Sequence, residues 1–214
     1  GVSSAASDVY KRQPWDREGT HDAHSSCWLR VSAPWAGNQL GGVWLPRIGQ
    51  EVIVSFIGGD ADLPICTGRV HDRDNLPPWA LPGQAALSGF RSRELTEGGG
   101  NAAAGRSNHL VLDDTPDRIQ AQLKSDHQCS VLSLGRFARI EDHAGRKEER
   151  GEGFELRTDG HGVLRAARGM LITTEARPNA ANHALDMGET TARLAGAQEQ
   201  HDMLAEAARL HRAQ

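Results

Sequence analysis

One stretch of the sequence, residues 34–70, alternates apolar and polar positions between clusters of glycine and proline. Within it, the run 51–56 places Val52, Val54 and Phe56 on one face of an extended chain. Glycines on both sides of this run supply backbone angles that other residues avoid, which is typical of tight turns. The stretch therefore predicts short β-hairpins, and it contains no nucleophile next to a base.

Residues 14–82 are predicted to form the first module. Alternation in residues 27–31 indicates a strand, and further strands are expected through residues 43–45, 51–56 and 65–70. Short antiparallel strands between glycine and proline turns favour a small barrel. The prolines of residues 76–82 predict an extended exit segment, because proline interrupts helices and central strands.

Two segments lack the patterns of packed structure. Residues 1–13 have no periodicity and are expected to be a non-native or disordered tail. Residues 83–108 are expected to be a linker, since the run 97–105 is too rich in glycine and alanine to pack.

Residues 109–176 change character and read as short strands joined by tight turns. Apolar and polar positions alternate along residues 119–124 and again along residues 154–157. Strands this short and this poor in apolar side chains become stable by stacking into a solenoid or by winding around copies of the same chain.

Residues 177–214 are predicted to be a helical segment. From about residue 184 the sequence is rich in Ala, Glu, Gln, Arg and Leu, with an interruption expected near Gly196. Its apolar positions form an incomplete stripe, so the helix is expected to need a partner surface.

Composition limits the classes of function. The 214 residues are 38% hydrophobic and carry a formal net charge of −4, and the mean hydropathy is −0.53. A nucleic-acid binder usually has a basic surplus, so no nucleic-acid partner is expected. No apolar run is long enough for a membrane span, and no signal peptide is indicated. Three scattered cysteines fit folding in a reducing cytoplasm.

Two groups of residues have the composition of a metal or catalytic site, and neither is predicted to be one. His21, His24 and Cys27 have a zinc-like spacing, but no fourth ligand is near, and loop histidines with a buried thiol explain them. Asp113 and Asp114, with His109 and Ser107 nearby, are explained by a side-chain-capped turn, since no nucleophile is positioned. The prediction is no catalytic, cofactor or metal residue, no cofactor, and no enzyme.

Four tryptophans on the first module could stack on bases or sugars. Core and interface packing is the favoured interpretation, because aromatic side chains dominate such contacts. The four residues are Trp28, Trp35, Trp44 and Trp79.

These motifs together resemble a known family. The stretch PWAGNQLGGVWLPRIGQEVIVSFIGGDADLPICTGRV at residues 34–70 looks like the signature of the valine-glycine repeat (VgrG) spike proteins of bacterial type VI secretion. The runs PWDREG, LSGFRS, NHLVLDD and GFELRTDGHGVLRAARGMLITTEARP are also similar to it, so the resemblance covers residues from 14 to the C-terminus.

The resemblance implies an architecture. The expected fold is mainly β, with an oligonucleotide/oligosaccharide-binding (OB)-like antiparallel barrel, short strands of an intertwined trimeric β-helix, and a C-terminal helix. The family's pattern also includes a tube-docking region and a longer spike, so the chain is expected to be a fragment. Alternation is expected to send one apolar set towards the threefold axis: Ile119, Ala121, Leu123, Phe154 and Leu156.

The resemblance also implies a function. The expected role is a structural spike component, a homotrimeric needle that pierces target membranes and carries secreted effectors. The implied partners are a tail-tube protein, a PAAR-type capping protein and, transiently, a target membrane. The chain would reside in the bacterial cytoplasm and then be secreted through the apparatus. An OB-fold binding module for oligosaccharide or single-stranded nucleic acid is the alternative, and a cell-wall hydrolase is weaker because no catalytic domain is visible.

Overall fold

A computed structural model describes residues 8–11, 18, 27–96, 100–101 and 105–211, with residues 8–11, 27 and 28 described by their backbone alone. The chain divides into two units, Gly1–His161 and Gly162–Gln214. The mainly β fold class predicted from the sequence is confirmed, since strands fill the first unit and one helix fills much of the second.

The first sheet has four strands: β1 (Asp8–Lys11), β2 (Cys27–Val31), β5 (Glu51–Phe56) and β6 (Pro64–Val70), in the order β1-β2-β6-β5. The pair β2–β6 is parallel and the other two pairs are antiparallel. A two-strand hairpin, β3 (Ala36–Gly37) and β4 (Leu40–Gly41), lies between β2 and β5. The strands predicted at residues 51–56 and 65–70 are therefore confirmed to within one residue.

Two expectations for this region were wrong. Residues 43–45 form no strand, and the Trp44 side chain stacks on Phe90. Residues 8–11 are not an unpaired tail, because their backbone pairs with β2 along its outer edge. An edge strand needs few apolar side chains, which is why composition did not reveal it.

The second sheet has five antiparallel strands in the order β11-β10-β9-β8-β7, a meander. Its strands are β7 (Leu87–Arg91), β8 (Asn108–Asp113), β9 (Gln120–Ser125), β10 (Ser130–Ile140) and β11 (Arg146–Arg157). The expected linker 83–108 is thus wrong for its first part, which contains β7. The runs 97–99 and 102–104 lie outside the described residues.

Strand β7 belongs to the sheet because it contributes to the core. Leu87 packs with Trp79, Val111 and Ile140 in one buried cluster. Trp79 comes from the proline-rich segment 76–82, whose Ala80 amide donates to the His143 carbonyl at 2.8 Å. The predicted exit segment therefore covers one face of the second sheet.

The second unit contains the helix α1 (Gly188–Leu210), and none of its side chains is buried. It begins later than predicted and continues through Gly196, because one glycine costs a helix only about 1 kcal/mol. Arg177 pairs with Asp186, just before the helix, and with Glu189 in its first turn. Residues 158–187 contain no strand. The region of spike strands, predicted over residues 109–176, therefore ends at Arg157 in the structure. Among the described residues, no helix is long and apolar enough to cross a membrane.

Candidate assembly surface

Strand alternation places large apolar side chains on one face of the second sheet. Strand register aligns them in two rows that cross all five strands. One row is Phe90, Leu110, Leu123, Leu132 and Leu156; the other is Ser88, Leu112, Ala121, Leu134 and Phe154. We call this surface the apolar face.

The apolar face is open to solvent in the single chain. Phe154 is 76% exposed, Leu123 56% and Leu112 48%. A soluble monomer rarely leaves so many neighbouring apolar side chains in water, and contiguous patches of this kind mark interaction surfaces. The arrangement is suited to contact with another apolar surface, and it offers no group for chemistry.

The sequence predicted one apolar set for burial, and the structure brings its members together. Ala121, Leu123, Phe154 and Leu156 all lie in the two rows, and Ile119 immediately before β9 is 65% exposed. Their common face is confirmed. Their burial at a threefold axis stays a prediction, since the single chain leaves them exposed.

The apolar face continues onto the loop that precedes β5. The rings of Trp44 and Phe90 stack with centroids 6.1 Å apart and planes 20° apart. Next to them, Arg47 Nη1 donates to the Arg93 carbonyl and to Asn101 Oδ1, the latter at 2.7 Å. The loop is therefore attached to the second sheet by one aromatic contact and one guanidinium.

The opposite face of the sheet, which we call the covered face, carries buried polar side chains. Asp113 is 1% exposed and accepts hydrogen bonds from the amide and hydroxyl of Thr115 at 3.0 and 2.6 Å. Gln120 Nε2 donates to Asp113 Oδ2 at 3.0 Å, and Arg146 Nη1 donates to the same oxygen. The Ala138 amide donates to Gln120 Oε1 at 3.0 Å, so the carboxylate is linked to the bulged strand β10.

These contacts set the charge of Asp113. Burial alone would raise the pKa of Asp113, but the hydrogen bonds from Thr115, Gln120 and Arg146 together lower it below its ordinary value. The carboxylate is therefore ionised and held in place, which is a structural role.

A second chain of hydrogen bonds crosses the same strands two residues further along β9. His109 Nε2 lies 2.8 Å from Gln122 Oε1, and Gln122 Nε2 donates to Ser133 Oγ at 3.1 Å. All three side chains are buried. Sequence reasoning missed this layer, although part of its signal was present: polar residues recur at every second position of β9, at Gln120, Gln122 and Lys124.

The residues weighed as a hydrolytic group do not act together. Ser107 Oγ donates to Asp126 at 2.7 Å, His109 bonds to Gln122, and Asp113 bonds to Thr115 and Gln120. The capped turn expected at Asp113 is confirmed by its bond to the Thr115 amide.

The remaining candidates are partly outside the described residues. His21, His24 and the Cys27 side chain are among the undescribed positions. Within the described residues, no group of three or more His, Cys, Asp or Glu side chains is placed to hold a metal ion.

The tryptophans have different surroundings. Trp79 is 5% exposed in the core, Trp44 stacks on Phe90, and Trp35 is 69% exposed. The Trp28 side chain is undescribed. Packing therefore accounts for Trp79 and Trp44, and no stacking platform joins the described tryptophans.

Two parts of the chain match known protein families. Residues 100–208 match the family described as putative type VI secretion system Rhs element Vgr. Residues 16–71 match the type VI secretion system/phage-baseplate injector OB domain. The chain belongs to the VgrG family of type VI secretion spike proteins.

Individual VgrG proteins are similar to this chain over most of its length or over about half of it. The type VI secretion system spike proteins VgrG2a and VgrG2b of Pseudomonas aeruginosa are each 48% identical over 175 residues, which is 82% of this chain. The chain spans 20% of the first relative and 16% of the second. A Vibrio cholerae relative named actin cross-linking toxin VgrG1 is 48% identical over 110 residues, which cover 51% of this chain and 9% of the toxin.

A solved structure, the VgrG spike bound to the Tle1 effector, is 28% identical with a TM-score of 0.45 and covers 60% of this chain and 35% of that one.

Proposed function

We propose that the chain is a structural part of a type VI secretion spike, and that three copies join through the apolar face into a needle. The observation that carries the proposal is the pair of apolar rows that the single chain leaves exposed on one face of the sheet, while the other face is covered. Family membership supports the setting, since relatives are named as spike proteins.

The energetics favour association through this face. Fully burying one leucine or phenylalanine stabilises a protein by about 1.5–3 kcal/mol. The rows contain many such side chains that remain exposed in one chain. Three copies related by a closed rotation can each turn this face inward, which removes the surface from water and leaves no open end for further growth.

Edge strands support the same arrangement. The second sheet ends in β7 on one side and β11 on the other, and both present unpaired backbone groups. Winding three chains around one axis lets such edges pair between chains, so that fewer free edges remain. A needle built in this way shares backbone hydrogen bonds between subunits and resists axial load.

We propose the same division of the chain into a barrel and a spike part. The match of residues 16–71 to the injector OB domain supports an OB-like barrel within the expected module of residues 14–82. The loop carrying Trp44 and Arg47 then joins the barrel to the sheet. We propose that this loop is a mechanical joint between the OB-like barrel and the sheet that forms the needle.

Partners and location follow from family membership. One VgrG spike has been solved with the effector Tle1 bound, and we extend effector carriage to the protein that contains this chain. We further propose a tail-tube protein and a PAAR-type cap as partners, transient contact with a target membrane, and a cytoplasmic stage before secretion.

We propose that this segment itself is not an enzyme. Its buried polar groups are engaged in structural hydrogen bonds at Asp113 and Gln122. The relative named as an actin cross-linking toxin shares only 9% of its length with the chain, so the proposal concerns this segment alone.

The proposed function can be tested by exchanging a segment of a related spike protein for this chain. The 175 matched residues of Pseudomonas aeruginosa VgrG2a are replaced by those of this chain, and secretion of the chimera by an active type VI apparatus is measured. The chimera is expected to trimerise and to be secreted. A second chimera carrying Leu123→Asp is the matched control, expected to fold without being secreted. Equal secretion of the two chimeras, or a folded first chimera that stays monomeric, contradicts the proposal.

A further inference from the structure

His109 occupies the middle of a row of side chains on the covered face. Its backbone is paired with Arg91 on β7 and with Lys124 on β9, and its ring is 3% exposed. Gln122 donates its amide N–H to Ser133, so its Oε1 is the acceptor for the proton on His109 Nε2. The hydrogen bonds therefore accommodate a neutral imidazole.

The charges around the ring disfavour a second proton. Lys124 lies on one side and Arg91 on the other. Asp126 is the nearby carboxylate, and it already accepts from the Ser107 amide and hydroxyl at 2.8 and 2.7 Å and pairs with Lys124 at 3.3 Å. Arg91 donates to the Ser107 hydroxyl at 3.3 Å and to the Glu141 carbonyl at 2.5 Å, and Asp142 acts on Arg91 only through longer-range attraction.

We propose that His109 is an acid-sensitive element of the sheet, whose protonation opens the packing of β7, β8 and β9 on the covered face. A protonated imidazole there is a buried cation between two other cations, and burial of an unpaired charge is strongly unfavourable. The β7–β9 part of the sheet would therefore loosen when the protein moves from a neutral to an acidic compartment. This inference concerns the covered face and stands independently of trimer formation through the apolar face.

The direction of the effect follows from linkage. Burial lowers the pKa of His109 below its ordinary value of 6.5, and Lys124 and Arg91 lower it further, while the Gln122 bond and Asp126 act in the opposite sense. The unfolded chain thus binds a proton more readily than the folded chain. Stability from this group is fully present above pH 6.5 and is lost as the pH falls below that value.

Carboxylates act in a different pH range. Burial would raise the pKa values of Asp113 and Asp126, but their hydrogen bonds and neighbouring cations lower both below 3.8. Their contribution is lost only as the pH falls below that value. The interval between pH 5 and pH 6.5 therefore separates His109 from these two groups.

The test is amide hydrogen exchange of the 214-residue chain at pH 7, 6 and 5, corrected for the intrinsic pH dependence of exchange. Opening of β8 and β9 is expected to increase by up to about tenfold per pH unit below pH 6.5, the limit for uptake of one proton. His109→Gln removes the titrating ring and keeps an amide donor for Gln122, so it is expected to abolish the increase. The exposed His161→Gln is the matched control and is expected to retain it.

Two outcomes overturn the proposal: an equal increase in H109Q and the unaltered chain, or loss of the increase in H161Q. If H109Q does not fold, an NMR titration of the His109 ring in the unaltered chain decides instead. A midpoint below 6.5 supports the proposal, and a midpoint at or above 6.5 contradicts it.

Discussion

The two faces of the five-stranded sheet differ in which side chains the single chain buries. The covered face combines an apolar cluster, which includes Leu87 and Val111, with buried polar side chains that are hydrogen-bonded within the chain, as at Asp113 and Gln122. The apolar face carries Leu110, Leu123 and Phe154, and the chain leaves them in water. Large apolar side chains therefore remain exposed on one face while carboxylate and amide groups are buried on the other.

The difference between the two faces indicates which side chains are buried by the chain itself and which need another surface to be removed from water. Buried polar groups are costly unless they are paired. On the covered face Asp113, Gln120 and Gln122 find their partners within the chain, whereas Arg146 Nη2 and Trp79 Nε1 have no hydrogen-bond partner among the described residues. Apolar surface needs no specific partner geometry, only removal from water. The buried carboxylate and amides of the covered face are therefore satisfied by the chain itself, whereas we propose that identical copies cover the apolar face.

The largest expected effect comes from a charge on the apolar face. Leu123→Asp places a carboxylate in the middle of one row, and burying it between copies would leave an unpaired charge in an apolar contact. The variant is expected to remain folded, since position 123 is exposed in one chain, and to lose association completely. Light scattering measures the mass.

Val163→Asp is the matched control for that variant, because Val163 is 67% exposed and lies outside the sheet. It is expected to associate like the unaltered chain. Loss of association in both variants would mean that acidity alone, and not the face, determines the result.

A smaller but still large effect is expected on the covered face. Asp113→Asn turns an amide N–H towards the donors of Gln120 and Arg146, or of Thr115. It leaves the partly buried guanidinium of Arg146 with only the more distant Glu149 carboxylate, at 3.7 Å. The expected loss is about 3 kcal/mol in the free energy of unfolding, measured by urea denaturation. Asp159→Asn breaks an exposed pair with Arg157 and is expected to leave the midpoint nearly unchanged; similar losses in both variants would contradict the structural role of Asp113.

Neighbouring positions on β8 separate the two faces directly. Val111 is fully buried, whereas Leu110 is 44% exposed. Val111→Ala is expected to cost about 2 kcal/mol at every protein concentration, since it removes two buried methyl groups. Leu110→Ala is expected to cost more where chains associate, so the fall in its thermal midpoint relative to the unaltered chain should grow with protein concentration. Concentration-independent losses of similar size in both variants would remove the distinction between the faces.

The smallest effect is expected at the joint. Trp44→Ala removes the stack on Phe90, and an aromatic pair contributes about 0.5–1.5 kcal/mol beyond the area it buries. Stability of the barrel should fall slightly, and association should weaken without being lost. Trp35→Ala, at a tryptophan that is 69% exposed immediately before β3, is the control and should change neither quantity.

Regular alternation made much of this predictable. Strand β5 was predicted with the bounds Glu51–Phe56 that the structure has, because glycine turns limit it on both sides. The apolar members of β9 and β11 were grouped correctly by the period of two. The helix was expected, but its start was placed early, since helix ends depend on local bonds such as the one from the Gly188 amide to Asp186.

What failed depended on contacts distant in sequence. Strand β7 lies in a segment that composition marks as a linker, and its place becomes clear only when Leu87 meets Trp79 and Ile140. Burial of Asp113 also escaped prediction, because a buried carboxylate is unfavourable until Arg146, 33 positions away, is brought beside it. Local patterns carry no information about such partners.

The central claim is that the apolar face joins three identical chains. The most direct measurement is sedimentation equilibrium of the unaltered chain beside Leu123→Asp at the same concentration. The expected result is a mass three times the 23.1 kDa of one chain for the unaltered protein and a single-chain mass for the variant. A folded, unaltered chain that stays monomeric at the highest soluble concentration would contradict the account, as would a variant that still forms the trimer.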